Sequence, residues 1–404
     1  MLNKCFSIPY SPLRSILRAS AAIAAMCALA VVLVGAGTEK AHGASLQTYA
    51  GATRFDTAAS QARAAYGSCD AAVLVGDTGW SDALSATGLA GALDCPVLFT
   101  GRDSLHPSTA SALSDLGVRR VVVVGGYLAV GDQVLDAVEG RGMAVERIWG
   151  ENSYATQMAV YDYGDREGLW GGGTVVVATG TGFADALSAA PVAFAEKAPV
   201  FLVDGGRDLS AAQKDALVSA AALGRFSTAV VLGGDIVMSE AARGFLDFTS
   251  MLASRSGGGS PSCVRLAGET RYDTSAMVAD WAVSKRILGW DGVAFATSSG
   301  PYDALAGSVL QGKTRSALLL VGDATSPTIG VAASHRGSIS SARIFGGSVA
   351  LPSDVKMSIA KALGRKYSEL PGFTVYLDAG HGWNDSNNGA YDSGAVGCGF
   401  QEAS

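Results

Sequence analysis

Three carboxylates stand at equivalent places along the chain: Asp82, Asp185 and Asp303 each open an Asp-Ala-Leu triplet shortly after a β-branched run. A carboxylate at a helix start can accept from free N–H groups and meet the positive end of the helix dipole. It can equally touch a polar ligand at the carboxyl edge of a parallel sheet. A second cluster comes earlier in each copy, as Arg54, Asp56 and Thr57, then Ser153, Ala155 and Thr156, then Arg271, Asp273 and Thr274. The Arg and Asp there either pair to fix a helix start or meet a ligand. In the second case the middle copy, lacking both, contributes less.

Two nucleotide motifs fail on context. Gly180-Thr181-Gly182-Phe183-Ala184-Asp185 begins as a dinucleotide fingerprint, but an aspartate at the third glycine position would repel a pyrophosphate. Gly307 to Thr314 has Walker A spacing, yet it follows a helix start and leads into the apolar run Ala317–Val321, the reverse of a phosphate loop. A nucleotide-dependent α/β enzyme therefore remains only a distant alternative. Of the six cysteines, Cys69 and Cys95 alone make an interesting couple, as a bridge between strand starts or as two buried thiols.

These residues need a scaffold that repeats. Val121–Gly126, Val230–Gly234 and Arg343–Gly347 each end a strand-like run in Gly-Gly, where positive φ and close approach favour glycine. The Asp-Ala-Leu triplets are spaced by 103 and 118 residues and the Gly-Gly pairs by 108 and 113, so the repeat is a whole domain. Within a copy, runs such as Ala71–Val75, Pro96–Thr100 and Arg120–Val124 alternate with helical stretches such as Ser81–Leu93 and Ser108–Leu116. Continuous rather than alternating apolarity predicts sheets covered on both faces, hence an α/β fold with parallel sheets. The Gly/Ser-rich stretch 254–262 reads as a linker into the third copy.

With 49% hydrophobic and 16% charged residues, 404 residues have ample material for several cores, which rules out general disorder. A net charge of −6 without a basic stripe argues against nucleic acid as a partner. Residues 1–43 have the layout of a secretory signal, with an uncleaved membrane anchor as the alternative: Lys4, Arg14 and Arg18, an apolar run from Ala21 to Gly37, then small residues at Ala41, Gly43 and Ala44. Their removal takes the charge to about −9 and leaves no later segment able to span a bilayer stably.

The triple order of these signals resembles the cell wall binding repeat type 2 family, over about residues 46–363. The resemblance implies three tandem Rossmann-like or flavodoxin-like modules in a pseudo-threefold arrangement: 46–147, 148–253 and 263–364, joined by the linker 254–262. It also implies secretion and non-covalent attachment to an anionic polymer or peptidoglycan of a Gram-positive wall, with Arg54, Asp82, Asp185, Arg271 and Asp303 as candidate contacts. An acidic chain gains no bulk attraction to an anionic polymer, so binding needs local Arg or Lys clusters in grooves between modules.

After Gly372 a strand-like Phe373–Leu377 delivers His381 into a glycine-rich loop, and Gln401-Glu402-Ala403 reads as a helix start. This is similar to the opening of the zinc N-acetylmuramoyl-L-alanine amidases, an incomplete α/β fragment over 373–404. The resemblance makes His381 and Glu402 the first two Zn2+ ligands, chemistry that suits imidazole and carboxylate donors. Zinc would acidify a water and polarise the amide carbonyl. The family's further histidine and catalytic glutamate have no counterpart before Ser404, so no catalytic residue is assigned and the chain as written is expected to be a wall binder carrying a truncated amidase. The alternative is a non-enzymatic surface-layer or adhesive protein.

Overall fold

The computed structural model describes residues 46–365 and two short strands near the end of the chain. The first copy runs β1 (Leu46–Tyr49), α1 (Arg54–Ala65), β2 (Ala71–Gly76), α2 (Trp80–Leu93), β3 (Val97–Thr100), α3 (Pro107–Asp115), β4 (Arg120–Val124), α4 (Asp132–Glu139) and β5 (Ala144–Ile148). The second runs α5 (Ser153–Arg166), β6 (Thr174–Thr179), the split helix α6 (Ala184–Ser188) and α7 (Ala190–Ala195), β7 (Val200–Val203), α8 (Ala211–Ala222), β8 (Thr228–Leu232), α9 (Glu240–Gly257) and β9 (Ser262–Leu266). The third is α10 (Arg271–Ser284), β10 (Gly289–Thr297), α11 (Tyr302–Lys313), β11 (Ser316–Val321), α12 (Pro327–Ser334), β12 (Ala342–Phe345) and α13 (Ser353–Ala362). The short strands β13 (Val396–Gly397) and β14 (Phe400–Gln401) pair antiparallel.

The twelve strands form three four-stranded parallel sheets ordered β3-β2-β4-β5, β7-β6-β8-β9 and β11-β10-β12-β1. Central strands such as Val73–Val75 and Val121–Val124 are fully buried, as their unbroken apolar runs require. Phe99, Phe201, Phe295 and Phe345 are among the largest side chains sealed in the cores.

Each sheet takes its fourth strand from the segment that leads into the following copy. β5 completes the first sheet and β9 the second, while β1 crosses to the third and pairs Leu46–Tyr49 with Ala342–Phe345. The three Asp-Ala-Leu helices close the ring: α2 packs on α7, α7 on α11 and α11 on α2. Small residues permit the close approach, since a Cβ on Gly88 of α2 would fall 1.9 Å from the Ala198 carbonyl. Lys313 at the end of α11 reaches Asp94 after α2 at 2.7 Å, an inter-copy ion pair at the helices' carboxyl ends.

Several expectations need correction. The predicted linker 254–262 is partly helical, because α9 continues to Gly257 and ends where Gly258 and Gly259 take positive φ of 75° and 98°. The module bounds also shift, since residues 46–49 belong to the third sheet and 262–266 to the second. Gly307–Lys313 of the Walker-like motif lie inside α11, ahead of β11. Cys69, Cys95 and Cys263 are free thiols, so of the two readings for Cys69 and Cys95 the structure takes the unbridged one.

Candidate functional site

The ring has three seams, each between an Asp-Ala-Leu helix and the first helix of the next copy: α2 with α5, α6 with α10, and α11 with α1. In every copy the first glycine of the Gly-Gly pair has positive φ, 125° at Gly125, 97° at Gly233 and 111° at Gly346. The triplet carboxylate lies against it: a Cβ there would stand 3.0 Å from Asp82, 3.2 Å from Asp185 and 2.6 Å from Asp303. Positive φ and this contact together require glycine.

Asp82, Asp185 and Asp303 sit in the first helical turn, but none of the three helices has a side-chain cap hydrogen bond. Each carboxylate thus stands at the positive end of a helix dipole, and two of the three also find partners across the seam. Asp303 lies beside the Thr57 hydroxyl with Arg54 nearby, and Asp185 beside that of Thr274 with Arg271 nearby. Burial pushes both carboxyl pKa values up, and the threonine and arginine pull back against it. Asp82 has neither aid, because Ser153 stands where the arginine would be and the Thr156 hydroxyl donates to the Gly150 carbonyl instead. It is 8% exposed, its Oδ1 has no hydrogen-bond partner, and burial pushes its pKa up to about 6.

The threonines are fixed by the local chain. Thr57, Thr156 and Thr274 each accept from the N–H of the glycine six residues earlier, at 3.1 Å. Thr53 and Thr270 cap their helices in capping boxes with Asp56 and Asp273, and Asn152 caps the middle one. The expected Arg–Asp pairing thus separates into two tasks. Asp56 fixes the helix start and also accepts from the Ser108 hydroxyl, which holds its pKa below the usual range. Arg54 instead donates to the Asp77 carbonyl at 2.7 Å and covers the Tyr302 ring of the third copy at 4.1 Å. Arg271 donates to the Ser298 carbonyl at 3.0 Å.

A cleft of about 730 Å³ opens at the seam between the third and first copies, lined by Arg54, Thr57, Tyr302 and Asp303 among others. It lies at the carboxyl edge of the third sheet, where Thr297 ends β10 and Gly322, Gly347 and Gly51 follow β11, β12 and β1. The third sheet also differs from the other two in the charges near this edge. Counting from the Gly-Gly pairs and from the glycine before each first helix, the first sheet places Arg147 against Asp132 at 3.2 Å, and the second places Arg265 against Glu240 at 3.0 Å. The equivalent positions of the third sheet are the short, uncharged Thr48 and Ser353. Arg54 remains exposed at this cleft, offering guanidinium donors beside hydroxyl groups and an aromatic ring.

The candidate residues thus sort by seam: Arg54 shares one with Asp303 and Arg271 another with Asp185, each near enough to lower the carboxyl pKa, while Asp82 has no arginine beside it. Tyr302 adjoins Asp303 in sequence, but its place at the site is not legible there, since its cation partner lies almost 250 residues away. His381 and Glu402 lie outside the described residues. Among the described residues, no group of His, Cys, Asp and Glu is suited to a metal ion, and no helix is long and apolar enough to cross a membrane.

Similarity to known proteins agrees with this geometry. Over 358 residues the chain is 25% identical to the N-acetylmuramoyl-L-alanine amidase LytC of Bacillus subtilis, covering 89% of this chain and 64% of that protein. It is 27% identical over 279 residues to the amidase enhancer of the same organism, covering 68% of this chain and 34% of that protein. The solved structures of Cwp8 and Cwp6 from Clostridium difficile share the fold, with TM-scores of 0.65 and 0.67 at 22% identity. They align over 80% and 89% of this chain, which spans 52% and 54% of theirs. The model of the cell wall binding domain 2 family matches residues 48–135, 147–243 and 265–356, one match per copy and more than half of the chain, so the chain belongs to that family.

Proposed function

We propose that this protein attaches non-covalently to an anionic glycopolymer of a Gram-positive cell wall, through the cleft between its third and first copies. The observation that carries this reading is Arg54, an exposed guanidinium fixed by the Asp77 carbonyl and the Tyr302 ring at the mouth of the cleft. Its pre-organisation reduces the entropy lost on binding an anionic group. Arg271 offers a second contact of the same kind. Asp185 and Asp303 act in this reading by holding the seams, and Asp82 is buried too deeply to meet a polymer. A cell-surface location accords with the family and with the wall-related relatives, and residues 1–43 would direct secretion.

Sedimentation of the purified protein with isolated Gram-positive walls tests the site. Arg54→Ala should lower the bound fraction several-fold at moderate salt, and Arg54→Ala with Arg271→Ala should lower it further. Retention equal to wild type in the double variant would refute the cleft as the binding site.

The reading extends to the segment after Gly372 as the opening of a zinc amidase domain, with His381 and Glu402 as metal ligands. Its support is the Asp378-Ala379-Gly380-His381-Gly382 motif beside the similarity to a protein named as an N-acetylmuramoyl-L-alanine amidase. When bound, zinc would supply an acidified water and a polarised carbonyl. Zinc content measured for wild type and His381→Ala tests the assignment, and equal stoichiometry in both would overturn it.

A further inference from the structure

At the carboxyl edge of the first sheet two large aromatics stay open to solvent, Tyr127 at 50% and Trp149 at 43% exposure. Their ring centroids are 5.2 Å apart at 72°, and the Arg147 guanidinium lies 4.5 Å from the Tyr127 centroid. Arg147 is itself held by the Gly125 carbonyl at 2.9 Å and by Asp132 at 3.2 Å, so the group is fixed from beneath. Tyr127 also walls a cleft of about 420 Å³ whose other sides carry Arg102, Asp103, Asp132, Gln133 and Asp136.

The fold does not need these rings. The positions equivalent to Tyr127 are Asp235 and Ser348, and those equivalent to Trp149 are Ala267 and Ala50, yet the same loops form in all three copies. Exposed aromatic surface that packing does not require marks a contact site. The neighbouring chemistry says for what. A flat apolar face beside several carboxylates, an amide and a guanidinium suits a ligand with C–H faces and many hydroxyl groups. Three carboxylates against Arg102 and Arg147 leave the cleft acidic by one charge, which disfavours phosphate.

We propose that the Tyr127–Trp149 platform and its adjoining cleft form a saccharide subsite that takes an uncharged pyranose ring of a wall glycan. It is separate from the Arg54 cleft and chemically unlike it. The proposal rests on the wall-binding reading for the source of its ligand, while the subsite has its own test.

The full chain is titrated with tetra-N-acetylglucosamine and with poly(glycerol phosphate), followed by calorimetry and tryptophan fluorescence. Wild type should bind the oligosaccharide saturably. Tyr127→Asp with Trp149→Ala, which installs the residues of the second copy, should weaken that binding roughly tenfold. Trp149→Phe, which keeps an aromatic face, should retain most of it, and Arg54→Ala should leave it unchanged. Absence of saturable oligosaccharide binding, equal affinity in the double variant, or loss of poly(glycerol phosphate) binding in that variant alone would overturn the subsite. Unchanged wall sedimentation in Arg54→Ala would instead refute the Arg54 cleft and leave the subsite standing.

Discussion

Replacing Asp82 with Asn should make the protein more stable at neutral pH, against the usual cost of altering a buried polar residue. Asp82 is 8% exposed, lacks the arginine that the other two seams supply, and has one oxygen without a partner. Its carboxyl is pushed from 3.8 up to about 6 by burial. A rise of about two pKa units corresponds to roughly 3 kcal/mol against the charged form. The native state binds a proton between pH 3.8 and about 6 that the unfolded chain releases, so this contribution is present below pH 3.8 and is lost as pH rises through about 6. Urea unfolding of wild type and Asp82→Asn at pH 4.5 and pH 7.5 isolates the effect, because other carboxylates cancel in the difference. The variant should gain up to about 3 kcal/mol relative to wild type at pH 7.5 and much less at pH 4.5. A variant less stable than wild type at pH 7.5, or a pH-independent difference, would refute the uncompensated-charge argument.

The glycine at each sheet edge gives a second test. Gly346→Ala should destabilise by more than about 2 kcal/mol, since φ is 111° and the new Cβ would stand 2.6 Å from Asp303 Oδ2. A midpoint in urea within error of wild type would contradict it. Native alkylation at pH 8 followed by peptide mass spectrometry should leave Cys95 unlabelled and label Cys69 slowly. Cys95 is fully buried and the Cys69 thiol is pushed up to about 11, so rapid labelling of either would show that the seal over them is wrong.

Much of the architecture was readable from local pattern. The apolar runs at Ala71–Val75 and Arg120–Val124 became β2 and β4, and the stretches at Ser81–Leu93 and Ser108–Leu116 became α2 and α3 with shifts of one residue. The Gly-Gly strand ends carry the positive φ that their composition suggested. At the site the match was partial. Arg54 and Asp303 stand in separate sequence motifs, and the cleft they share is legible in neither. The end of α9 was misplaced because serines at 254 and 256 are tolerated in a last helical turn, whereas only the glycines at 258 and 259 leave helical φ.

The amino-acid order alone determined that three copies exist, that each alternates strand and helix, and that each edge bends at a glycine. Those features depend on hydrophobic period and on backbone freedom, which act over a few residues. Only the tertiary structure decided that β1 completes the third sheet, that Thr57 serves Asp303 and Thr274 serves Asp185, and that one seam opens while Asp82 is left without an arginine at another. Those outcomes depend on which edges and charges meet after the chain has closed into a ring. Segments about 300 residues apart then become neighbours, and side-chain size and charge at the contact select the partner.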